Sequence, residues 1–144
     1  MMTSTNRDNH PIVATLVSDD QRLNFLPRHF GKHMMLLESQ IYHHLANLCP
    51  QYQGGYWNFY DLSNSGCYLA PRHHCYRLVH AGNDCDATVS GDAAGIIATL
   101  YTFSHLSFLF ENDPFGTHLS DLFHLLRDYT AHHPEASLIY RVID

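Results

Sequence analysis

Residues 93–110 read AAGIIATLYTFSHLSFLF and contain no Asp, Glu, Lys or Arg. Ser90 can cap a helix that begins here, and Asp92 would lie in the first turn, where the helix dipole favours an anion. At 100° per residue one wide face is apolar, and the opposite face is small or weakly polar, formed by Gly95, Ala98, Thr99 and Thr102. The pattern predicts a helix over 92–110, buried between two layers. We expect its broad face to support a sheet and its small face to contact a later helix.

A membrane span is the alternative interpretation of this run. A helix of this length rises about 27 Å, at the lower limit of a bilayer core. Five hydroxyl or imidazole groups would then face lipid, and the flanks are acidic, without a Lys or Arg anchor. We therefore interpret the run as the central helix of a soluble domain.

Composition and charge exclude several classes of protein. The 144 residues include 14 acidic and 8 basic side chains, for a net charge of −6. There is no basic patch for a phosphate backbone, so no direct contact with nucleic acid is expected. The acids are also too few and too scattered to imitate DNA. The four cysteines have no CxxC spacing and no signal peptide precedes them, so we expect a cytoplasmic protein with reduced thiols.

The chain divides into a polar tail, residues 1–11, and one domain, residues 12–144. Two further helices are predicted from apolar stripes with a period of 3.6 residues, at 36–48 and 118–133. Pro50 and Pro134 follow their ends, and Thr117 is the predicted cap of the second. A short strand is expected within 12–17, and a short last helix near 138–142.

Residues 56–89 carry the strand signals. Aromatic and β-branched residues alternate with turn residues such as Asn64 and Gly66. The short connections predict an antiparallel meander of about four strands, 56–62, 67–70, 75–80 and 85–89. Together with the three main helices, this gives an α+β fold.

Sequence signatures of catalysis are absent, including phosphate-binding loops, nucleophile elbows and zinc-protease motifs. One hairpin offers candidate metal ligands: His73, His74, Cys75, His80 and Cys85. Imidazole and thiolate suit zinc, and a hairpin could bring its two cysteines together. A metal-dependent hydrolase, or another enzyme with a His/Cys site, is therefore the alternative function. Because the spacing matches no standard zinc motif, we favour an ordinary polar hairpin with packed cysteines and no cofactor.

The aromatic stretch at residues 56–60, YWNFY, has two interpretations. It could be a stacking platform for nucleic-acid bases. No Lys or Arg is interleaved with the rings, so we favour a place in the core. Arg72, Arg77 and His80 provide only a weak positive spot.

The order and spacing of short motifs along nearly the whole chain resemble the ArdB/KlcA antirestriction family. The motifs are Ala14–Val17, Gln21-Arg22, Pro27, His29–Gly31, Gly54-Gly55, Trp57, Phe59-Tyr60, Leu62–Asn64 with Gly66, Ala70-Pro71, Ala93–Ile96, Ser104-His105, Leu126–Tyr129, His133–Glu135 and Ile143-Asp144. The segment 72–75 is not part of this pattern.

The resemblance implies a compact α+β domain and a role in DNA transfer. Proteins of this family are carried by conjugative plasmids and other mobile genetic elements, and they relieve restriction of incoming DNA by the host's type I restriction-modification enzymes. They differ from the more acidic DNA mimics, are not known as metalloproteins and have no established catalytic residues. We therefore expect a non-enzymatic inhibitor that acts by protein contacts, with the type I system as direct or indirect partner.

Candidate contact residues are polar groups at turns and element ends, namely Asp61, Asn64, Arg127, Asp128 and Asp144. Loops and element ends carry function more often than the core does. Each residue also has a simpler interpretation, as turn geometry, an intrahelical charge pair or a solvated terminus.

Overall fold

The computed structural model describes residues 11–73, 75–80, 82 and 85–144. This part of the chain forms five strands and five α-helices. The strands are β1 (Ala14–Leu16), β2 (Trp57–Leu62), β3 (Cys67–Pro71), β4 (Cys75–His80) and β5 (Cys85–Ser90). The helices are α1 (Arg22–Phe30), α2 (Met34–Leu48), α3 (Gly91–Leu109), α4 (Pro114–Thr130) and α5 (Ala136–Ile143). The predicted α+β class is confirmed. The predicted tail lies outside the described residues except for Pro11, so the division at residue 11 stays a prediction.

The strands form two antiparallel sheets. The first has the order β1-β2-β3, with Leu16 opposite Tyr60 in one pair and Tyr60 opposite Tyr68 in the next. The second is the hairpin β4-β5. The four strands predicted between 56 and 89 are present, but the prediction that they form one meander is wrong, because β3 and β4 belong to different sheets.

The start of α3 lies against the chain between the two sheets. Its first residue, Gly91, is so close to the chain leaving β3 that a Cβ there would lie 2.6 Å from the carbonyl oxygen of Pro71 and 2.2 Å from that of His73. After this contact the chain does not turn back along β3. The strand β4 instead begins a new hairpin, which also packs on α3.

Helix α3 is the centre of the fold, as the uncharged run predicted. It contacts β3, α2, α4, α5 and both strands of the hairpin. Its small face lies on β3, where Thr99 Oγ1 is 3.4 Å from both the amide nitrogen and the carbonyl oxygen of Leu69. Gly95 and Thr99 of this face thus meet β3, whereas the whole face was expected to receive the helix predicted at 118–133. A strand backbone can come this close only where the helix carries small side chains. None of the described helices is long and apolar enough to cross a membrane.

The helix bounds differ from the predictions mainly at α4. This helix begins at Pro114 rather than at 118, because the side chain of Asp113 accepts a hydrogen bond from the amide of Phe115 and caps it. Proline at the first helical position has no amide to satisfy, so it suits this start. Helix α4 ends at Thr130 rather than at 133, and the short last helix is confirmed as α5.

Hydrogen bonds fix the start of α3 to the rest of the molecule. Ser90 caps the helix by accepting from the amide of Ala93, and Glu135 accepts from both the amide and the hydroxyl of Ser90. The carboxylate of Asp92 accepts from the Tyr68 hydroxyl at 2.6 Å and contacts His133 Nε2 at 2.8 Å. These contacts hold the segment that follows α4 against the helix start.

Candidate functional site

The β2–β3 turn, which contains the predicted contact residue Asn64, is attached to α4. The Asn64 amide donates to the carbonyl oxygen of Leu125 at 2.9 Å, and its Oδ1 accepts from the amide of Gly66 at 3.0 Å. One side chain thus shapes the turn and binds it to the helix. Ser65, which lies between Asn64 and Gly66 in the turn, has a positive φ of 76°.

Asp61 lies on β2 and pairs with the end of α1. Arg28 donates to both carboxylate oxygens of Asp61, at 3.2 and 3.0 Å, and His29 Nε2 lies 2.7 Å from Oδ1. The Asp61 and Arg28 side chains are partly exposed, with exposed fractions of 36% and 49%, whereas His29 is nearly covered. This paired arrangement combines a two-fold hydrogen-bonded ion pair with a buried imidazole.

The two titratable partners shift each other's pKa. Burial lowers the pKa of His29 and outweighs the opposing influence of the Asp61 carboxylate. Burial acts to raise the pKa of Asp61, but the hydrogen bonds from Arg28 and His29 together hold it below its ordinary value. At neutral pH Asp61 is therefore ionised and His29 is neutral, donating from Nε2.

The remaining three predicted residues lie at the second half of α4 and the chain end. Arg127 stacks on the ring of Tyr140 at 4.7 Å, and one of its terminal nitrogens is 3.5 Å from a carboxylate oxygen of Asp144. Arg127 and Asp144 line a small cavity of about 90 Å³ between α3, α4 and α5. Asp128 is exposed on α4.

The structure connects these positions along one helix. We call Asp61, Asn64, Arg127, Asp128 and Asp144 the α4 rim. Four of the five lie on α4 or contact it: Arg127 and Asp128 belong to the helix, Asn64 contacts Leu125 and Asp144 contacts Arg127. Asp61 is linked to α4 indirectly, because its partner His29 offers its carbonyl oxygen to Nε2 of His118, a residue of α4, at 2.7 Å.

Sequence reasoning did not identify Arg28, His29 or His118 as partners in this arrangement. His29 entered only as part of a family motif, and the other two carried no signal. Next to them, a cavity of about 500 Å³ lies between the end of α1 and the start of α4. In its wall the rings of His33 and Phe115 stack with centroids 4.1 Å apart.

The His/Cys hairpin does not bring its cysteines together. Cys75 pairs with Ser90 at one end of the β4-β5 hairpin, and Cys85 pairs with His80 at the other. Cys75 is exposed and Cys85 is buried, and His74 lies outside the described residues. In the described part of the chain, no three His, Cys, Asp or Glu side chains are grouped to hold a metal ion.

Relatives of known sequence extend over almost the whole chain. Antirestriction protein KlcA from Escherichia coli is 41% identical over 141 residues, which cover 96% of this chain and 99% of that protein. Putative antirestriction protein YubI from Escherichia coli strain K12 is 35% identical, covering 92% and 96%. Uncharacterized protein YafX of the same strain is 36% identical, covering 99% and 95%.

A solved structure has the same fold. It superposes with a TM-score of 0.88 at 41% identity, covering 94% of this chain and 96% of the solved one. The solved structure is described as one of the KlcA and ArdB proteins, which show a novel fold and antirestriction activity against type I DNA restriction systems in vivo but not in vitro. The sequence model of the family described as "Antirestriction protein" matches residues 50–144. By sequence and by fold, this chain belongs to the antirestriction protein family.

Proposed function

We propose that this protein relieves restriction of incoming DNA by a type I restriction-modification system. The observation that carries the proposal is the 41% identity to KlcA over 96% of the chain, together with the TM-score of 0.88. The match extends over almost the full length of both chains and over the whole fold, rather than over a single motif. We place the action in the cytoplasm, where incoming DNA meets the host's restriction enzyme, and expect the gene to be carried by a mobile element such as a conjugative plasmid.

The protein acts without catalysis, by contacts with other proteins rather than by imitation of DNA. A DNA mimic must reproduce a phosphate charge every few ångströms along its surface. The net charge of −6 on 144 residues is too small for such an array. Three of the acids are in any case neutralised locally, since Asp61, Asp86 and Asp144 each pair with an arginine.

The α4 rim is the contact surface in this proposal. Its polar groups are partly or largely exposed, and the scaffold beneath them holds the turn, the helix and the chain end in fixed relation. A preorganised surface loses little conformational freedom on binding, which favours specific recognition. The relatives' activity in vivo but not in vitro supports a partner other than the purified restriction enzyme alone. We therefore include an indirect route, in which a further host component is the molecule contacted.

Phage plating on a host with an active type I system tests the function. Expression of the protein should raise the plating efficiency of unmodified phage, while plating on an isogenic host without the restriction enzyme stays the same. An unchanged efficiency at a verified expression level would refute the proposal. Co-purification from the restricting host, with and without challenge DNA, then separates a direct partner from an indirect one.

A further inference from the structure

Two arginines share the ring of one tyrosine near the start of β2. The guanidinium carbon of Arg22 lies 4.4 Å from the centroid of the Tyr56 ring, and that of Arg72 lies 4.2 Å from it. Arg22 also lies 4.2 Å over the ring of Phe59. These residues come from three segments: the first turn of α1, the approach to β2 and the exit of β3. The fold, rather than the local sequence, therefore assembles the pair.

Neither of these guanidinium groups has an ion-pair partner among the described residues. Three other arginines, Arg28, Arg77 and Arg127, each pair with an aspartate. Arg72 instead donates from Nε to the amide oxygen of Asn58 at 3.0 Å, which orients the side chain and leaves its two terminal nitrogens for another acceptor. Two like charges at one ring repel each other, so negative charge placed near both guanidinium groups would be favoured.

The pair lies at an accessible opening. Tyr56 is 46% exposed, and a cavity of about 340 Å³ is bordered by Tyr56, Arg72 and the backbone of Gly54 and Gly55. Both glycines have positive φ, at 90° and 136°, and a Cβ built on either would meet nothing within 4 Å. The loop thus leaves open space beside Tyr56 and Arg72 that a ligand can enter, and Arg22 contacts the same Tyr56 ring.

We propose that Arg22, Tyr56 and Arg72 form a binding site for an acidic segment of a partner protein. Both guanidinium carbons lie within 4.4 Å of one centroid, so they are less than about 9 Å apart. Carboxylates on residues i and i+2 of an extended chain point to one side, about 7 Å apart. Each can form a two-fold hydrogen bond with one guanidinium fork. Two carboxylates separated by one residue are therefore compatible with the distance between the two guanidinium groups, and we take this spacing for the probe.

A nucleic acid fits the same site less well. Nucleic-acid binding depends on a row of cations that follows the phosphate backbone. This site offers two arginines, on a chain of net charge −6. Bases bind single-strand proteins by stacking on open aromatic rings, whereas the Tyr56 ring already carries two guanidinium groups. The inference stands independently of antirestriction, because it concerns binding by the purified protein.

Calorimetric titration of the full-length protein with a defined peptide tests the site. The probe is a capped Gly-Ser-Glu-Thr-Glu-Ser-Gly peptide at low salt, compared with the same peptide carrying Gln in place of both Glu. The double variant Arg22→Gln/Arg72→Gln should bind the acidic peptide about tenfold more weakly. The control Arg77→Gln/Arg141→Gln removes the same charge elsewhere and should change the affinity by less than about twofold.

Several results would overturn the inference: no binding of the acidic peptide, equal binding of its Gln version, or equal loss in the control variant. A short oligo-dT that binds more tightly than the peptide, and loses affinity in the site variant, would assign the pair to nucleic acid instead. If the double variant does not fold by circular dichroism, Arg72→Gln alone is used. It should still weaken peptide binding about threefold, and an unchanged affinity then counts against the site.

Discussion

Gly95 on α3 faces Leu69 on β3 so closely that a Cβ at Gly95 would lie 2.2 Å from the Leu69 carbonyl oxygen. It would also lie 2.4 Å from the α-carbon of Ala70. Both obstacles are backbone atoms of a buried strand, which cannot rotate away as a side chain can. The central helix and the first sheet are therefore in contact at a point where only glycine fits.

Gly95→Ala should destabilise the protein. In an unobstructed helix interior this substitution stabilises by about 0.5–1 kcal/mol. Here the added methyl group must push the helix from β3, and we expect the free energy of unfolding to fall by about 1–3 kcal/mol, and further for Gly95→Leu. Urea denaturation measures the change, with Ser104→Ala on the same helix as control. A melting temperature of Gly95→Ala at or above wild type would contradict the close contact.

Asn64→Ala should separate the β2–β3 turn from α4. The substitution removes the donor to the Leu125 carbonyl and the acceptor for the Gly66 amide. We expect a loss of about 1–2 kcal/mol in unfolding free energy. Asn47→Ala is the matched control, because Asn47 is exposed and its described hydrogen bond is to His43 one turn away. Equal stability of the two variants would show that the Asn64 bonds contribute nothing.

Acidification should destabilise the protein through His29. Its folded pKa lies below the ordinary value of 6.5 because of burial, so the unfolded chain takes up a proton first. The stabilising contribution is complete above pH 6.5 and is lost as the pH falls through the folded pKa. We expect the melting temperature to decrease as the pH falls below the ordinary histidine pKa of 6.5, and less steeply in His29→Gln, which can still donate to Asp61.

Burial is also the main cause that lowers the pKa of His44. Some pH dependence of the stability should therefore persist in His29→Gln. The exposed His124→Gln on α4 serves as the control and should follow wild type. An identical decrease in His29→Gln and wild type would mean that His29 does not couple folding to protonation. The Asp61 carboxylate, whose pKa is also lowered, contributes only at a more acidic pH.

Substitution of Asp128 or Asp144 in the α4 rim should reduce restriction relief without destabilising the protein. Asp128 is exposed, and the Arg127–Asp144 contact at 3.5 Å is an exposed pair of small energetic value. Asp128→Asn and Asp144→Asn should therefore keep their unfolding free energy within about 0.5 kcal/mol. We expect phage plating relief to fall about tenfold, the effect of losing one good contact.

Glu111→Gln is the control for this experiment, since Glu111 is an exposed acid at the end of α3, outside the rim. It should retain full relief. Full relief in both aspartate variants as well would move the contact surface away from α4. Lost relief together with a lowered melting temperature would instead mark the aspartates as structural.

Local physics made the helices predictable. The bounds of α3 were predicted to within one residue at each end. The signals used were the uncharged run, its Ser90 cap and its apolar periodicity, and each of them acts within a few positions of the chain. The predicted start of α4 was wrong because two residues, Asp113 and Thr117, could each cap the helix. Asp113 followed by Pro114 is the stronger signal, since proline suits the first helical position, and it prevailed over Thr117.

The sequence by itself determined the α+β class, the central helix and the family. The tertiary structure alone decided which strands pair, which face of α3 meets β3, and which partners the polar side chains have. Asp61 is hydrogen-bonded to Arg28, 33 positions away in the chain, and Asn64 is hydrogen-bonded to Leu125, 61 positions away. The Arg22–Tyr56–Arg72 stack likewise joins three segments. Periodicity and capping report energies between neighbours in the chain, whereas these contacts depend on the packing of whole elements against one another.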